Sequence, residues 1–203
     1  MTPIRVLILA GLAALGANGA DTISAMGRTW TVPVASDWNV EAGVLRLVTH
    51  RGPLPGPRRP IQFALTEVPR YDRLKIEADV MPLGRSLMIV FAYTDPAHFD
   101  YAHLSTDTGE VQPVHNGVFH VYGGERVRIS AERGPAAFAA SGRWYHIRLQ
   151  HDAVTGTVRV AVDGRPLPAL RAVDLSLGPG RIGFGSFDEA GAFRNIRITT
   201  KAK

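Results

Sequence analysis

Hydrophobic residues recur at every second position along most of this chain, which is the period of a β-strand. In the segment RLKIEADVM, residues 73–81, all four charged side chains fall on one face, and the apolar side chains Leu74, Ile76, Ala78 and Val80 fall on the other. Residues 144–151 and 157–164 alternate in the same way, and residues 86–93 form a continuous apolar run that is typical of a strand covered on both faces. The segment DAVTG, residues 152–156, predicts a hairpin between the two later strands.

Short strands separated by turn residues account for most of the remaining pattern, and helical spacing is nearly absent. Further strands are expected at residues 44–49, 61–68, 99–105, 115–121, 126–130 and 193–199. About a dozen such strands without crossover helices predict an all-β fold, either an antiparallel sandwich or a barrel. The chain has 203 residues, which suits one hydrophobic core.

The first 20 residues, MTPIRVLILAGLAALGANGA, have a different pattern. A single cation at Arg5 precedes an apolar stretch, and small residues follow up to Ala20. This layout predicts a secretory signal peptide that is cleaved after Gly19 or Ala20. The apolar stretch is too short for a comfortable membrane span, and no second stretch approaches that length. The alternatives are an uncleaved anchor or a buried first element of the fold. We therefore expect residues 1–20 to be a signal peptide, residues 21–203 to form a single β domain, and the mature protein to be periplasmic or extracellular.

The amino-acid composition of the chain excludes several kinds of chemistry and partner. The chain contains no cysteine, which excludes disulfides, thiol catalysis and cysteine-ligated metals. Without Arg5 the mature chain has 22 Lys and Arg against 18 Asp and Glu, a net charge of +4. The arginines are scattered rather than arranged in a stripe, so no nucleic-acid partner is expected. A mild positive field fits an anionic polysaccharide, although an ordinary solvated surface explains the same charges.

The hexamer GPGRIG, residues 178–183, matches the spelling of a dinucleotide-binding turn. That turn needs a helix directly after the glycines, because the helix N-terminus holds the pyrophosphate. Here the following residues continue a strand, RIGFGSF, and Pro179 has no N–H group to offer a phosphate. The motif therefore indicates a turn that leads into a strand, in which glycines mark close backbone approach or a bend.

Five segments occur in the order found in laminin-G-like and concanavalin-A-like jelly rolls. They are WNVEAGVL (38–45), RLKIEADV (73–80), GRWYHIRLQHD (142–152), VRVAVDGRPL (158–167) and GRIGFGSFDEAGAFRNIRI (180–198). More narrowly, they resemble bacterial 3-keto-disaccharide hydrolase-like domains, often described as family-16-like glycoside hydrolases. The resemblance covers nearly all of the mature chain and implies a two-sheet antiparallel β-sandwich, a concanavalin-A-like jelly roll. It fixes no activity, because this sandwich carries lectins, hydrolases, lyases and adhesion modules.

The acid pair of a family-16 glycosidase is incomplete in this chain. A retaining glycosidase needs two carboxyl groups about 5–5.5 Å apart, and the family-16 pattern E-x-D-x-x-E supplies them from one strand. Glu77 and Asp79 match the first two positions, but no second glutamate follows. We therefore interpret the two acids as the polar face of a half-exposed strand. A serine nucleophile in a G-x-S-x-G elbow is also absent from the sequence.

The densest set of candidate side chains lies at residues 98–120. His103 and His115 are the predicted catalytic residues, because a histidine can take a proton near neutral pH. If the two strands pair with His103 opposite His115, both imidazoles share a face with Tyr101. Tyr101, Asn116 and Arg59, or its neighbour Arg58, are the predicted substrate-binding residues, since their polar groups suit sugar hydroxyls or a carboxylate. The alternative is that the histidines are half-buried packing residues.

No metal site is predicted. A site built on His103 and His115 would be short of ligands, since Asp100 would face the other way and Asp107 lies in the loop. No cofactor is expected either. A structural calcium, which is common in laminin-G-like sandwiches, is left open with Asp188 as a conceivable ligand beside Glu189.

These features favour an exported, lectin-like carbohydrate-binding domain that recognises a glycan or glycoside. The expected partner is a carbohydrate, with an anionic polysaccharide as one option. The alternative is a glycoside- or polysaccharide-acting hydrolase or lyase with histidine acid–base chemistry. A structural or protein-adhesion role is a third alternative, and whether the chain is an enzyme stays open at this point.

Overall fold

Fifteen strands and one short 3-10 helix at Ala35–Asp37 make up the described part of the chain, which comprises residues 20–52 and 56–202 of a computed structural model. The predicted signal peptide, apart from Ala20, lies outside the described residues. The strands are β1 (Asp21–Ala25), β2 (Arg28–Val32), β3 (Trp38–Glu41), β4 (Val44–Leu47), β5 (Gln62–Thr66), β6 (Arg73–Pro82), β7 (Ser86–Asp95), β8 (His98–Ser105), β9 (Gly117–Tyr122), β10 (Glu125–Arg128), β11 (Tyr145–Asp152), β12 (Thr157–Val162), β13 (Arg165–Val173), β14 (Arg181–Ser186) and β15 (Gly191–Lys201).

The strands form two antiparallel sheets that pack face to face. The first sheet has the order β1-β2-β5-β14-β7-β8-β9-β10, and the second has the order β13-β12-β11-β6-β15-β4-β3. The prediction of an all-β, two-sheet antiparallel sandwich is therefore confirmed. Neighbouring strands are often distant in sequence, as expected for a jelly roll, and β14 and β15 return to the middle of the two sheets.

The alternation in the sequence corresponds to the burial of the strands. Strand β6 alternates between exposed or half-exposed and buried residues along its whole length, so one face lines the core between the sheets and the other meets solvent. Strand β7 is buried over its first eight residues, which is why its sequence is a continuous apolar run. Every segment that the period-two pattern predicted contains a strand.

Strand β13 was not among the predicted strands, although it pairs with β12. It contains Pro166 and Pro168, which cannot donate a hydrogen bond to a neighbouring strand and so lower the strand signal of the sequence. The structure explains how they are tolerated, since β13 is an edge strand of the second sheet and shifts its register at a bulge between Arg159 and Ala161 of β12.

The glycines of the GPGRIG motif lie where the sequence placed them, in a turn and in a strand. Gly183 and Gly185 belong to β14, in the middle of the first sheet, between β5 and β7. A Cβ atom at Gly183 would lie 2.6 Å from the carbonyl oxygen of Ala64, and one at Gly185 would overlap the carbonyl oxygen of Gln62. The glycines therefore permit the close approach of β5 to β14.

The first sheet is apolar on both faces. Its inner face packs against the second sheet in the main core. Its outer face carries a second set of buried side chains, all from the first sheet or directly after it, which we call the outer cluster: Phe63, Leu65, Met88, Val90, Tyr93, Phe99, Tyr101, Phe119, Val121 and Phe187. The outer face of the second sheet is polar by contrast, with Lys75, Glu77, His146 and Arg148 along β6 and β11.

Candidate functional site

Arginine side chains cover the outer cluster. The guanidinium carbon of Arg126 lies 4.9 Å from the ring centroid of Phe187, and that of Arg58 lies 5.7 Å from the same centroid. Arg128 lies 5.7 Å above Phe119. Flat guanidinium groups favour aromatic faces because the ring presents negative charge density to the cation. On the outer face of the first sheet, arginine side chains therefore lie over the aromatic rings of the outer cluster.

The two predicted catalytic histidines, His103 and His115, lie close together beside the outer cluster, although their strands do not pair in the predicted register. The structure pairs His103 with Gly117 and Tyr101 with Phe119, so the expected alignment of His103 opposite His115 is wrong. His115 lies in the loop before β9, and its ring folds back to within 4.7 Å of the His103 ring centroid. Strand β9 begins two residues later than the pattern suggested, which moves His115 out of the ladder.

His103 is enclosed by protein. Only 2% of its surface is exposed, its Nδ1 lies 2.9 Å from the carbonyl oxygen of Val114, and its ring packs 5.6 Å from that of Phe187. Burial lowers the pKa of His103 to about 3, so the ring is neutral at pH 7. A substrate on the surface would not reach this ring, which favours packing over acid–base chemistry for His103.

His115 is better placed for chemistry. Its Nδ1 lies 3.0 Å from both Ser105 Oγ and Asp107 Oδ2, and 13% of the side chain is exposed. Burial lowers the pKa of His115, against the opposing effect of the Asp107 carboxylate, so the ring is ready to accept a proton rather than to carry one. The carboxylate fixes the orientation of the imidazole, as it does in proton-transfer sites.

Asn116 holds the loop that carries His115. Its φ angle of 47° is in the left-handed region, which asparagine tolerates better than most residues. The side chain is buried; Oδ1 accepts hydrogen bonds from the backbone N–H groups of Ser105 (2.8 Å) and Ala137 (3.2 Å), and Nδ2 donates to the carbonyl oxygen of Asp107. All of these partners are backbone groups, so the structure gives Asn116 a positioning role.

Tyr101 and Arg59 complete the predicted set, and the structure separates them. Tyr101 is fully buried in the outer cluster, and burial raises its pKa to about 12 against the opposing effect of Arg126. Arg59 donates from Nε to the carbonyl oxygen of Pro96 (3.0 Å), at the turn between β7 and β8. Its neighbour Arg58 is the one that reaches Phe187, and 60% of the Arg58 side chain is exposed.

Three further charged residues lie next to this surface: Asp188 and Glu189 directly follow Phe187, and Arg85 contacts Glu189. Arg85, in the turn between β6 and β7, is 64% exposed and lies 3.8 Å from Asp107 Oδ2 and 3.4 Å from Glu189 Oε1. Asp188 lies 3.5 Å from Arg58. No sequence motif marks Arg85, Arg126 or Phe187, because each is an isolated residue in a turn or strand. Only their convergence from separate turns and strands shows that they share a surface.

The carboxylates of Asp188 and Glu189, the conceivable calcium ligands, already have protein partners. The Glu189 carboxylate accepts hydrogen bonds from the backbone N–H and the hydroxyl of Ser86, and both acids lie against arginine guanidinium groups. A calcium ion needs six or more oxygen ligands and would be repelled by Arg58 and Arg85. We therefore assign these two acids to ion pairs that fasten the loop between β14 and β15.

Glu77 and Asp79 lie on the outer face of the second sheet, away from the outer cluster. Glu77 pairs with Lys75 (3.0 Å) and Arg148 (3.1 Å). Asp79 accepts hydrogen bonds from Asn195 Nδ2 (2.7 Å) and contacts His146 Nδ1 at 3.1 Å. Each carboxylate is thus paired with polar side chains of neighbouring strands, as the interpretation of a polar strand face requires.

Two antiparallel sheets with jelly-roll connections define the class of fold, that of the concanavalin-A-like sandwiches. The chain is similar in structure to the carbohydrate-binding module CBM66 from Bacillus subtilis, with 16% identity and a TM-score of 0.55 over 68% of this chain and 81% of that one. It is also similar to a protein of unknown function with a galectin-like fold from Bacillus subtilis (17% identity, TM-score 0.52, 82% of this chain and 87% of that one).

A third similar structure is a GH43 protein from Bacillus licheniformis, at 13% identity and a TM-score of 0.57. The alignment covers 84% of this chain but only 36% of that protein. At these identities the likeness shows the fold alone. No family model matches the sequence, and a comparison with curated proteins found no match. Among the described residues, no helix is long and apolar enough to span a bilayer.

Proposed function

We propose that this protein is an exported carbohydrate-binding sandwich that recognises a glycan or glycoside on the outer face of its first sheet. One observation carries the proposal: Arg58, from the loop before β5, and Arg126, from β10, converge on the ring of Phe187, which directly follows β14. Because Phe187 is only 9% exposed beneath these guanidinium groups, a sugar would meet mainly their N–H donors, which suit its hydroxyl groups. The carbohydrate-binding module among the similar structures supports the same class of ligand.

The charges of this surface favour an acidic glycan. Arg58 and Arg85 direct exposed guanidinium groups towards solvent, and each is paired with carboxylates at 3.4 Å or more rather than in close bidentate contact. A guanidinium group presents a planar fork of N–H donors that matches a carboxylate. A uronic acid or another carboxylated sugar would thus gain two charge-assisted contacts next to Phe187.

A glycan array tests the proposal. The wild-type protein should bind one class of glycans, acidic ones most strongly, and Arg58→Gln/Arg126→Gln should reduce binding at least tenfold. The matched control is Arg148→Gln/Arg159→Gln, which removes two arginines from the outer face of the second sheet and should bind as the wild type does. Absence of binding by the folded wild type, or equal loss in both double variants, would contradict the proposal.

The alternative function, a glycoside- or polysaccharide-acting hydrolase or lyase, rests on one observation, the His115–Asp107 pair. An imidazole oriented by a carboxylate is a suitable general base. Incubation with any glycan found on the array, followed by mass spectrometry, separates the two functions. Products that disappear with His115→Gln support an enzyme, and binding without products supports a binding protein.

A further inference from the structure

A second group of polar side chains lies on the opposite face of β8 and β9, between the two sheets. Asp100 pairs with His120 across the ladder, and both alternate with outer-cluster residues, so they point inward. Asp174 follows the end of β13, the edge strand of the second sheet, and reaches the same point. One potential ligand atom from each of the three residues lies within 4.8 Å of the others.

The hydrogen bonds of this group do not satisfy both carboxylates. His120 Nδ1 lies 2.7 Å from Asp100 Oδ1 and 2.9 Å from Asp174 Oδ2. That nitrogen carries at most one hydrogen, which can donate to only one of the two oxygens. Asp174 Oδ2 is buried and accepts no hydrogen bond from any described residue, while the exposed fraction of the Asp100 side chain is 2%. A buried carboxylate oxygen without a partner is costly.

A cation placed between His120 Nδ1, Asp100 Oδ1 and Asp174 Oδ2 would bind all three atoms at once. We propose that Asp100, His120 and Asp174 form a divalent transition-metal site of the zinc class. Imidazole and carboxylate ligands suit Zn²⁺, which accepts three protein ligands and one water molecule. Calcium is disfavoured because it takes six or more oxygen ligands, and this site offers two carboxylates and a nitrogen.

The surroundings fit this ligand set. With the metal on Nδ1, the neutral imidazole keeps its hydrogen on Nε2, which lies 3.4 Å from Ser176 Oγ. Ser176 in turn donates its hydroxyl hydrogen and its backbone N–H to Asp174 Oδ1, at 2.5 and 2.8 Å. Such outer partners fix the orientation of metal ligands. Tetrahedral bonds of about 2.0 Å require ligand atoms about 3.3 Å apart, so His120 would move outward by roughly half an ångström on binding.

The site would act as a clamp between the sheets. Asp100 and His120 belong to the first sheet, whereas Asp174 leaves the edge of the second sheet. Asp174 is also fixed to the hairpin of β11 and β12, because its N–H donates to the carbonyl oxygen of Gly156 (2.9 Å). A bound metal would therefore join elements of both sheets, and it is separate from the proposed carbohydrate surface on the outer face.

Metal binding to the intact mature chain tests the inference. After treatment with a chelator, titration with Zn²⁺ should show one ion bound per chain and a rise of several degrees in Tm, whereas Ca²⁺ should give neither. Asp174→Asn should weaken zinc binding at least tenfold. The control is His98→Gln, because His98 contacts both oxygens of Asp95 at 3.0 Å at the half-exposed turn between β7 and β8 and could bind zinc adventitiously.

Cobalt gives a readout that does not depend on variant folding. Co²⁺ bound by the wild type should give the intense visible absorption of a tetrahedral site, and Zn²⁺ should abolish it. Failure of the wild type to bind either ion at one equivalent would overturn the inference, as would an equal loss of binding in His98→Gln and Asp174→Asn. Neither result would affect the glycan experiment, which concerns a different face.

Discussion

Gly185 shows at the scale of one residue how close the strands of the first sheet approach each other. A Cβ atom at this position would overlap the carbonyl oxygen of Gln62 and lie 2.8 Å from the Cα atom of Phe63. Both are backbone atoms of β5, which cannot move without disturbing the ladder. Gly185→Ala should therefore lower the free energy of unfolding by about 3 kcal/mol or more.

Gly178→Ala is the matched control, because a Cβ there would meet no described atom within 4 Å and its φ angle is not positive. Its free energy of unfolding should stay within about 0.5 kcal/mol of the wild type. Guanidinium chloride denaturation measures both variants. Similar midpoints for the two would mean that β5 can yield, and the explanation of the glycine-spaced strand would be incorrect.

His103 makes stability depend on pH. Its pKa is about 3 in the folded protein, because burial disfavours the charged ring, against an ordinary value of 6.5. Between these values the unfolded chain binds a proton that the folded chain does not. The contribution is therefore fully present above pH 6.5 and is lost as the pH falls towards 3, with a slope of up to about 1.4 kcal/mol per pH unit.

The variant His103→Gln removes this pH-dependent contribution to stability. It keeps the other titrating groups, including His151, whose pKa is lowered to about 4 by burial. Chemical denaturation at pH 7, 6, 5 and 4 should show that the wild type loses its advantage over the variant progressively as the pH falls. Parallel curves for the two proteins would show that the His103 ring is protonated as easily in the folded as in the unfolded chain.

At the scale of elements, one side chain fastens two loops to the outer face of the first sheet. Arg128, in β10, donates hydrogen bonds to the carbonyl oxygens of Pro113, His115, Asn116, Ser130 and Glu132. Its planar fork has five N–H donors spread over three nitrogens, whereas a lysine has three donors on one nitrogen and cannot reach all five of these acceptors. Arg128→Lys should therefore loosen the loops on both sides of β9 and β10.

Hydrogen exchange measured by mass spectrometry tests this expectation. Amides in residues 106–116 and 129–135 should exchange at least tenfold faster in Arg128→Lys, and the central strands should keep their protection. Arg148→Lys is a suitable control, because Arg148 contacts the carboxylate of Glu77 on the outer face of the second sheet. Unchanged exchange in the two loops would assign their order to other contacts, those of Asn116 above all.

The elements themselves were largely predictable, and their pairing was not. Strands β6, β11 and β12 can be predicted from the local alternation of apolar and polar residues, which the sequence displays directly. The alignment of β8 with β9 depends on how the loop before β9 folds, and that loop is set by the buried Asn116 in a left-handed conformation. The meeting of Asp100, His120 and Asp174 depends further on how the two sheets pack. No local pattern encodes such contacts.

At the scale of the whole molecule, the two outer faces of the sandwich differ in chemistry. The outer face of the second sheet is an ordinary polar strand face, whereas that of the first sheet is aromatic and covered by arginines and loops. Alternation showed that Tyr101 and His103 share a face, but it could not show that this face would be enclosed. Which loops cover a face is decided only in the assembled molecule. Here the loops bury Tyr101 and His103, and the solvent-facing polar groups of this surface belong to Arg58, Arg85 and Arg126 instead.

The start of the first strand gives a last prediction for the whole chain. Strand β1 begins at Asp21, directly after the predicted cleavage position. Asp21 Oδ2 accepts a hydrogen bond from the N–H of Ala35 (2.7 Å), and the carbonyl oxygen of Ala25 accepts one from Trp30 Nε1 (3.0 Å). Cleavage after Gly19 or Ala20 would leave all of these contacts intact, whereas a cut inside β1 would remove an edge strand of the first sheet.

Expression of the full chain in a bacterial host should therefore yield an exported protein whose intact mass corresponds to a start at Ala20 or Asp21. Its free energy of unfolding should equal that of a chain produced directly from residue 21, and deletion through residue 27 should lower it. Leu9→Arg, which places a charge in the apolar stretch, should retain the uncleaved chain in the cytoplasm. If the wild type also stayed uncleaved there, a carbohydrate ligand outside the cell would no longer be tenable, although the folded sandwich would be unaffected.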